Sequence, residues 1–293
     1  MPATRSGECS SPLPPGEGGA QCRVRVRNCE ALDLADLDGL RAALDRIAPD
    51  LILNAAAYTA VDRAEDEPDL AQRINGDAVG VIGEWAARHD ARVVHYSTDY
   101  VFDGSATRPY REGDATHPVS AYGRSKLAGE IALRATGARH LIFRTAWVYA
   151  ARGNNFIRTM LRLGAERDEL RVVDDQVGAP TPARLIADVT AQVVAQWCGD
   201  DAPTRDGTYH LVASGQTSWH GFAHAIFGAA QRTGLLARAP HLQAIRTADY
   251  PTKAVRPAWS VLDTTKLRDA FDISLPDWQA VLDGVIDELA AAG

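Results

Sequence analysis

ARVVHYSTDYVFDG, Ala91 to Gly104, is the stretch on which the reading of this chain turns. Its apolar front half does not alternate, as expected of a strand covered on both faces, and at Thr98 and Asp99 it breaks into a loop. Strands of that kind belong to parallel sheets packed between helices. On its N-terminal side, PDLAQRINGDAVGVIGEWAARHD reads as one long helix with Pro68 in its first turn. Before that come the amphipathic helix DLADLDGLRAALDRIAP and the buried strand DLILNAAAYT, which runs into a loop. On the C-terminal side follow the helix SAYGRSKLAGEIALRAT and a third strand, RHLIFRTAWVYA. The alternation predicts an α/β fold, a doubly wound parallel sheet with helices on both sides.

Past Tyr149 the pattern loosens. NNFIRTMLRLGAER is a helix, ELRVVDDQVGAPTP a strand and turn, and ARLIADVTAQVVAQW a helix that can return to the sheet. From GTYHLVASGQTSW onward come a short strand, a helix, a loop near 249–260 carrying Pro and Arg, and a last helix after Pro276. This tail reads as a smaller C-terminal lobe closing over the ligand edge of the sheet. Residues 1–29 stand apart. Eleven of the first twenty are Gly, Pro or Ser, a linker or disordered composition.

With 293 residues, 46% of them hydrophobic, the chain can bury a substantial core. No apolar run approaches the ~20 residues of a membrane span. A formal charge of −7 argues against a general nucleic-acid binder but leaves room for a phosphorylated small ligand held by local arginines. Cys9, Cys22 and Cys29 lie in the leader and Cys198 far from them, which is neither a disulfide framework nor metal-ligand spacing. A cytoplasmic protein is the expectation.

AYGRSK places Tyr122 four residues before Lys126, on one helix face. Ketone reduction needs a proton donor at the carbonyl oxygen while hydride arrives at carbon. A tyrosine serves if its pKa falls toward neutrality, a shift of ~3 units or ~4 kcal/mol, and a nearby ammonium supplies part of that. With three lysines and eight tyrosines in the chain, chance produces about 0.08 such pairs. Thr98 and Asp99 sit just past the apolar end of their strand, where a parallel sheet opens into its ligand crevice. A hydroxyl there can hydrogen-bond the carbonyl that Tyr122 protonates, although an ordinary strand-to-turn transition has the same spelling. Asn54, Ala55, Ala56 and Ala57 end the preceding strand, small enough for a cofactor to lie against the backbone or for the strand end to pack tightly.

NAAAYTAVDRAEDEP, HYSTDYVFDG, YGRSKLAGE, LIFRTAWVYA, GNNF, DDQVGAPT and YHLVASG, in this order, resemble the dTDP-4-dehydrorhamnose reductases, extended members of the short-chain dehydrogenase/reductase superfamily. The resemblance runs from about Asp33 to LPDW near the C-terminus. It implies a Rossmann-like fold and reduction of the 4-keto group of dTDP-6-deoxy-L-lyxo-4-hexulose by NADPH or NADH, giving dTDP-L-rhamnose. By position, Tyr122 would be the proton donor, and Lys126 would lower its pKa and hold the nicotinamide ribose. Thr98 and Asp99 would bind the reacting end of the substrate. Asn54, Ala56, Ala57 and Thr59 would line the cofactor, with Asp33 and Leu34 near its adenine. Trp147 would contact the sugar nucleotide and Arg256 its diphosphate. By residue type alone, a core aromatic at 147 is equally open, and for Arg256 a solvated loop arginine is the more common case. The implied division is a dinucleotide-binding part, 30–150 with the helix near 183–198, and a substrate lobe, 151–182 with 208–293. Some members of the family use Mg2+ at a dimer interface. Arg184 in TPARLIAD stands where an acidic residue is expected, so no residue is assigned to a metal. The partners implied are a small dTDP-sugar and a second copy in a homodimer, with no nucleic acid and no membrane.

The family also opens with an apolar strand and a G-x-x-G-x-x-G turn whose amides bind the cofactor pyrophosphate. GEGGAQ, Gly16 to Gln21, follows SSPLPP and leads into CRVRVRN, so it is not that turn. The expectation is that the first strand and Gly-rich loop are missing, at a cost to cofactor affinity, the leader being a frame-shifted or misassigned start. Two other readings stand beside the reductase. One is a non-catalytic, regulatory or sugar-nucleotide-binding relative, like the beta subunit of methionine adenosyltransferase. The other is a nucleotide-sugar epimerase or dehydratase, disfavoured by TAWVY together with DDQVGAPT.

Overall fold

The structure, a computed structural model, describes residues 32–199 and 205–292. Its elements are α1 (Leu37–Ile47), β1 (Leu51–Asn54), α2 (Pro68–Gln72), α3 (Ala78–Arg88), β2 (Arg92–Thr98), α4 (Ala121–Ala135), β3 (Arg139–Thr145), β4 (Val148–Tyr149), α5 (Phe156–Glu166), β5 (Glu169–Val173), β6 (Val177–Gly178), β7 (Thr181–Pro182), α6 (Ala183–Trp197), β8 (Gly207–His210), β9 (Thr217–Ser218), α7 (Trp219–Arg232), β10 (His241–Ile245), α8 (Thr265–Phe271) and α9 (Trp278–Ala292).

The central sheet has the order β1-β2-β3-β8, with every pairing parallel. Because strand side chains alternate between faces, Val93 and Ile142 point to one side, into a core with Leu40, Leu44, Ile82 and Trp85 of α1 and α3. Val94, Leu141 and Phe143 point to the other, into a core with Val189, Val193 and Trp197 of α6 and Leu267 and Phe271 of α8. The non-alternating run in ARVVHYS is thus a strand with a core on each face, and the sheet is α/β with helices on both sides. A third core lies outside it, where Ile157, Phe222, Ile226, Phe227 and Ile286 join α5, α7 and α9 beside the parallel pair β5 and β10. The strand at 207–210 pairs with β3 in the central sheet; its few residues carry too little pattern to say so. Among the described residues β1 is an edge strand, with Leu53 half-exposed. The expected loss of the first strand and Gly-rich loop, and the 1–29 leader, fall outside the described residues.

The long helix read from Pro68 onward is interrupted by one π-helical turn, Arg73–Asp77. The widened turn sets the Asn75 carbonyl against α4 at Gly129, where a Cβ would lie 2.1 Å from that oxygen. Only glycine admits so close an approach of two backbones. Gly129→Ala must therefore push α4 away from the turn, and we expect it to destabilise the fold by about 1–3 kcal/mol, read from denaturant midpoints at unchanged slope.

Candidate active site

The central strands end together on one edge. In register, Asn54 lies beside His95 and Thr98 beside Thr145, so β2 extends past its neighbour and presents Thr98 at the mouth of the sheet. The Thr98 hydroxyl accepts from the Tyr100 amide at 3.2 Å, capping the short turn Asp99–Val101, and donates to Asp99 Oδ1 at 2.9 Å. Asp99 is only 2% exposed, and its Oδ2 has no hydrogen-bond partner. The Ser260 hydroxyl acts on the same carboxyl. Burial lifts the Asp99 carboxyl to about 6, against the smaller downward pull of Ser260 and Thr98.

Helix α4 begins at Ser120, whose side chain accepts from the Gly123 amide, and this sets Tyr122 in the first turn. The Tyr122 ring meets Tyr100 edge-on, centroids 5.5 Å apart, and packs with Tyr58 on the alanine layer Ala64, Ala71 and Ala121. Its phenol faces Thr98. Burial pushes the Tyr122 pKa well above its ordinary value; the Thr98 hydrogen bond opposes the rise, and Asp99 and Tyr100 add to it.

One turn on, Lys126 is buried. Its ammonium donates to the Tyr96 carbonyl at 2.7 Å and lies 3.4 Å from His95 Nε2. Burial lowers Lys126 to about 8, with Glu130 pulling it back up. His95, desolvated and facing that ammonium, is held well below its ordinary pKa, while its Nδ1 lies 3.1 Å from the Asn54 amide. Lys126 therefore ties α4 to β2. Its ammonium thus points to a strand carbonyl.

The loop after β1 exposes Ala55, Ala56 and Thr59, with Ala57 half-buried and Asn54 buried beneath. It is a shelf of small side chains at the carboxyl end of a parallel strand, the shape a dinucleotide needs to lie close to the backbone. Asn75, which sequence reasoning missed, fixes this shelf. Its Oδ1 accepts from the Tyr58 amide at 2.9 Å, and its Nδ2 donates to the Tyr58 carbonyl and to Ser125 Oγ, both at 3.0 Å. Ser125 in turn donates to the Tyr122 carbonyl. The available signal was the Asn-Gly pair within RINGD, a poor fit to a helix interior. Asp33 and Leu34 precede α1; Asp33 Oδ1 accepts from the Ala35 amide, and Leu34 packs on the core under that helix.

Trp147 has φ 48°, strained for a bulky side chain, and such strain persists only where packing enforces it. Here the ring stacks on Trp219 at 3.6 Å with 6° between planes and lies against Gly178, where a Cβ would come within 2.6 Å of it. Trp219 and Phe156 form one wall of a cavity of about 650 Å³, into which Arg167, Arg171, Tyr250 and Arg256 also project. Arg256 joins the cavity to the Tyr100–Tyr122 cluster: one nitrogen lies 2.6 Å from Asp62 Oδ2 and another donates to the Tyr100 hydroxyl at 3.3 Å. Sequence reasoning reached Trp147 and Arg256 but not Trp219, Phe156 or the other two arginines, which meet them only through the packing of α5, α7 and β5. Among the described residues, no group of three or more His, Cys, Asp or Glu is arranged to hold a metal ion, and no helix is long and apolar enough to cross a membrane.

The dTDP-4-dehydrorhamnose reductase of Shigella flexneri is 48% identical over 257 residues, 88% of this chain and 85% of that protein. The crystal structure of a dTDP-4-dehydrorhamnose reductase from Clostridium acetobutylicum superposes with a TM-score of 0.80 at 37% identity, covering 88% of this chain and 87% of that one. The enzyme of the same name from Bacillus anthracis, solved in complex with NADP, gives 0.80 at 33% identity with the same coverage. The model of the RmlD substrate binding domain matches residues 18–291. The chain belongs to the RmlD substrate binding domain family.

Proposed function

We propose that this chain is an NAD(P)H-dependent oxidoreductase that reduces the 4-keto group of dTDP-4-dehydro-L-rhamnose to give dTDP-L-rhamnose, a nucleotide sugar used in polysaccharide biosynthesis. The observation that carries the reading is the meeting of the Thr98 hydroxyl and the Tyr122 phenol at the carboxyl end of β2, beside a cavity lined by three arginines and stacked aromatics. Bound NADPH or NADH supplies the hydride. Every other step falls to the chain. Tyr122, kept protonated by burial, is loaded to give its proton to the alkoxide oxygen that forms as hydride reaches carbon. Thr98 donates a hydrogen bond to the same oxygen.

For the cofactor, Asn54, Ala56, Ala57 and Thr59 offer the shelf, Lys126 a buried ammonium for the nicotinamide ribose, and Asp33 and Leu34 the adenine end. For the substrate, Asp99 borders the reacting end, Trp147 on Trp219 gives the sugar an apolar wall, and Arg256 can pair bidentately with the diphosphate, an anion that would compete with Asp62 for its guanidinium. In this reading 30–150 with 183–198 form the dinucleotide-binding part, now joined by β8 and α8, and 151–182 with the other residues after 210 the substrate lobe. The chain works in the cytoplasm as a homodimer.

The test is product analysis. The purified full-length chain, given NADPH and the 4-keto dTDP-sugar, is expected to oxidise the nicotinamide in step with appearance of dTDP-L-rhamnose. A product that keeps its ketone with altered ring stereochemistry would transfer the chain to the epimerases. Tight binding of the sugar nucleotide without oxidation would make it a non-catalytic relative.

A further inference from the structure

Thr98 has one proton and two lone pairs to distribute, and the structure shows where they go. One lone pair takes the Tyr100 amide and the proton goes to Asp99 Oδ1, with the Tyr122 phenol close by. In that arrangement the Thr98 proton runs inward, to Asp99. A ketone oxygen at the mouth of the sheet would not find it free. We propose that Asp99 is a positioning residue whose protonation turns the Thr98 hydroxyl round, so that Thr98 donates to the substrate carbonyl only while Asp99 is neutral.

A neutral Asp99 donates its own O–H to the remaining lone pair of Thr98 Oγ1. The Thr98 proton is then released toward one lone pair of the ketone oxygen, and Tyr122 donates to the other. Asp99 takes its proton from solvent and keeps it through turnover; the proton that ends on the product hydroxyl comes from Tyr122. Burial favours the neutral form of the carboxyl and outweighs the pull of the Ser260 and Thr98 hydroxyls and of the Asp99 and Tyr100 amides toward the ionised one. Its neighbours are the hydroxyls of Thr98 and Ser260, Tyr100 in its own turn and Tyr122 from α4. The cation next to this cluster, Arg256, is engaged by Tyr100 and Asp62 rather than by Asp99. Burial lifts the carboxyl to about 6, and the ionised form further discourages loss of the Tyr122 proton. Both effects act in the same direction.

The proposal rests on the reductase reading, and its test separates the two. In wild type, kcat/KM for reduction is expected to be level below about pH 6 and to fall about tenfold per unit above it. Asp99→Asn, whose amide is a permanent donor toward Thr98, is expected to flatten that limb. In a Thr98→Val background Asp99→Asn is expected to change nothing further. Infrared difference spectra of the full chain are expected to show a carboxylic-acid band at acid pH that Asp99→Asn removes, with or without turnover. A flat wild-type profile, a pH limb retained in Asp99→Asn, a further loss in the Thr98→Val background or an absent infrared band would each overturn the proposal. Failure of the chain to reduce any keto sugar nucleotide would instead overturn the reductase reading, and the infrared band would still decide the state of Asp99.

Discussion

Tyr122→Phe is expected to lower kcat by about 10²–10⁴-fold, the usual contribution of a positioned proton donor, with little change in KM. The substitution removes one oxygen and leaves the ring, so the edge-on contact with Tyr100 and the packing with Tyr58 on the alanine layer persist. What is lost is the proton that faces Thr98. Because burial holds the phenol protonated far above neutral pH, the wild-type rate should show no limb from Tyr122 itself between about pH 5 and 9. Any limb in that window belongs to another group. The ratio of the effects on kcat and KM is the decisive readout. A loss in KM alone would make Tyr122 a binding residue and leave the proton unaccounted for, and an unchanged kcat would move the donor elsewhere. The same variant separates an enzyme from a relative that only binds, since a non-catalytic chain shows no difference between the two proteins.

How far the sequence reaches depends on what kind of interaction carries each feature. The two-faced strand was legible because Val93 and Val94 are adjacent, and only a sheet with a core on each side takes both. Tyr122 and Lys126 were legible as a pair because helical spacing is a local property. Where the Lys126 ammonium goes was not, because it is decided by a carbonyl and a histidine on β2, thirty residues away in sequence. Asn75 is a similar case: its hydrogen bonds join a loop, a π turn and α4, and nothing in the spacing of RINGD encodes that meeting. Strand β8 carries GTYH, too short to show a period, and its membership of the central sheet follows from its pairing with β3 alone. The wall that Trp219 gives the cavity depends on α7 reaching Trp147, a contact between segments some seventy residues apart. Local periodicity was readable, then, and convergence of distant segments was not.

Beyond Lys126 on α4 lies a second long-range meeting, and it yields the largest stability effect expected of a single side chain here. Glu130, one turn beyond Lys126, and Arg144 on β3 form a bidentate pair, Arg144 Nε to Oε1 at 2.9 Å and a terminal nitrogen to Oε2 at 2.7 Å. Their side chains are 0% and 3% exposed. Arg134 adds a third contact at 3.0 Å, and the Arg144 guanidinium lies 5.1 Å over the Phe102 ring. Glu130→Ala leaves Arg144 charged, buried and without its carboxylate, and should cost about 3–5 kcal/mol. His210 nearby cannot compensate: it is neutral, its pKa depressed to about 3 by burial and by Arg144 itself. Removing both charges at once, with Glu130→Met and Arg144→Leu, is expected to restore most of the loss, because the cost lies in the unpaired ion rather than in the absent pair. The pH dependence has a definite sign. Arg144 holds the Glu130 carboxyl below its ordinary value, so the pair contributes fully above about 4.3 and is withdrawn as pH falls through the depressed value. Wild type and Glu130→Ala should therefore converge in acid. The site feels the change too: Glu130 supports the charge on Lys126, and without it that ammonium titrates lower. A variant that lost stability yet kept its gap from wild type at low pH would show that Glu130 acts through packing, and the ionic account would fall.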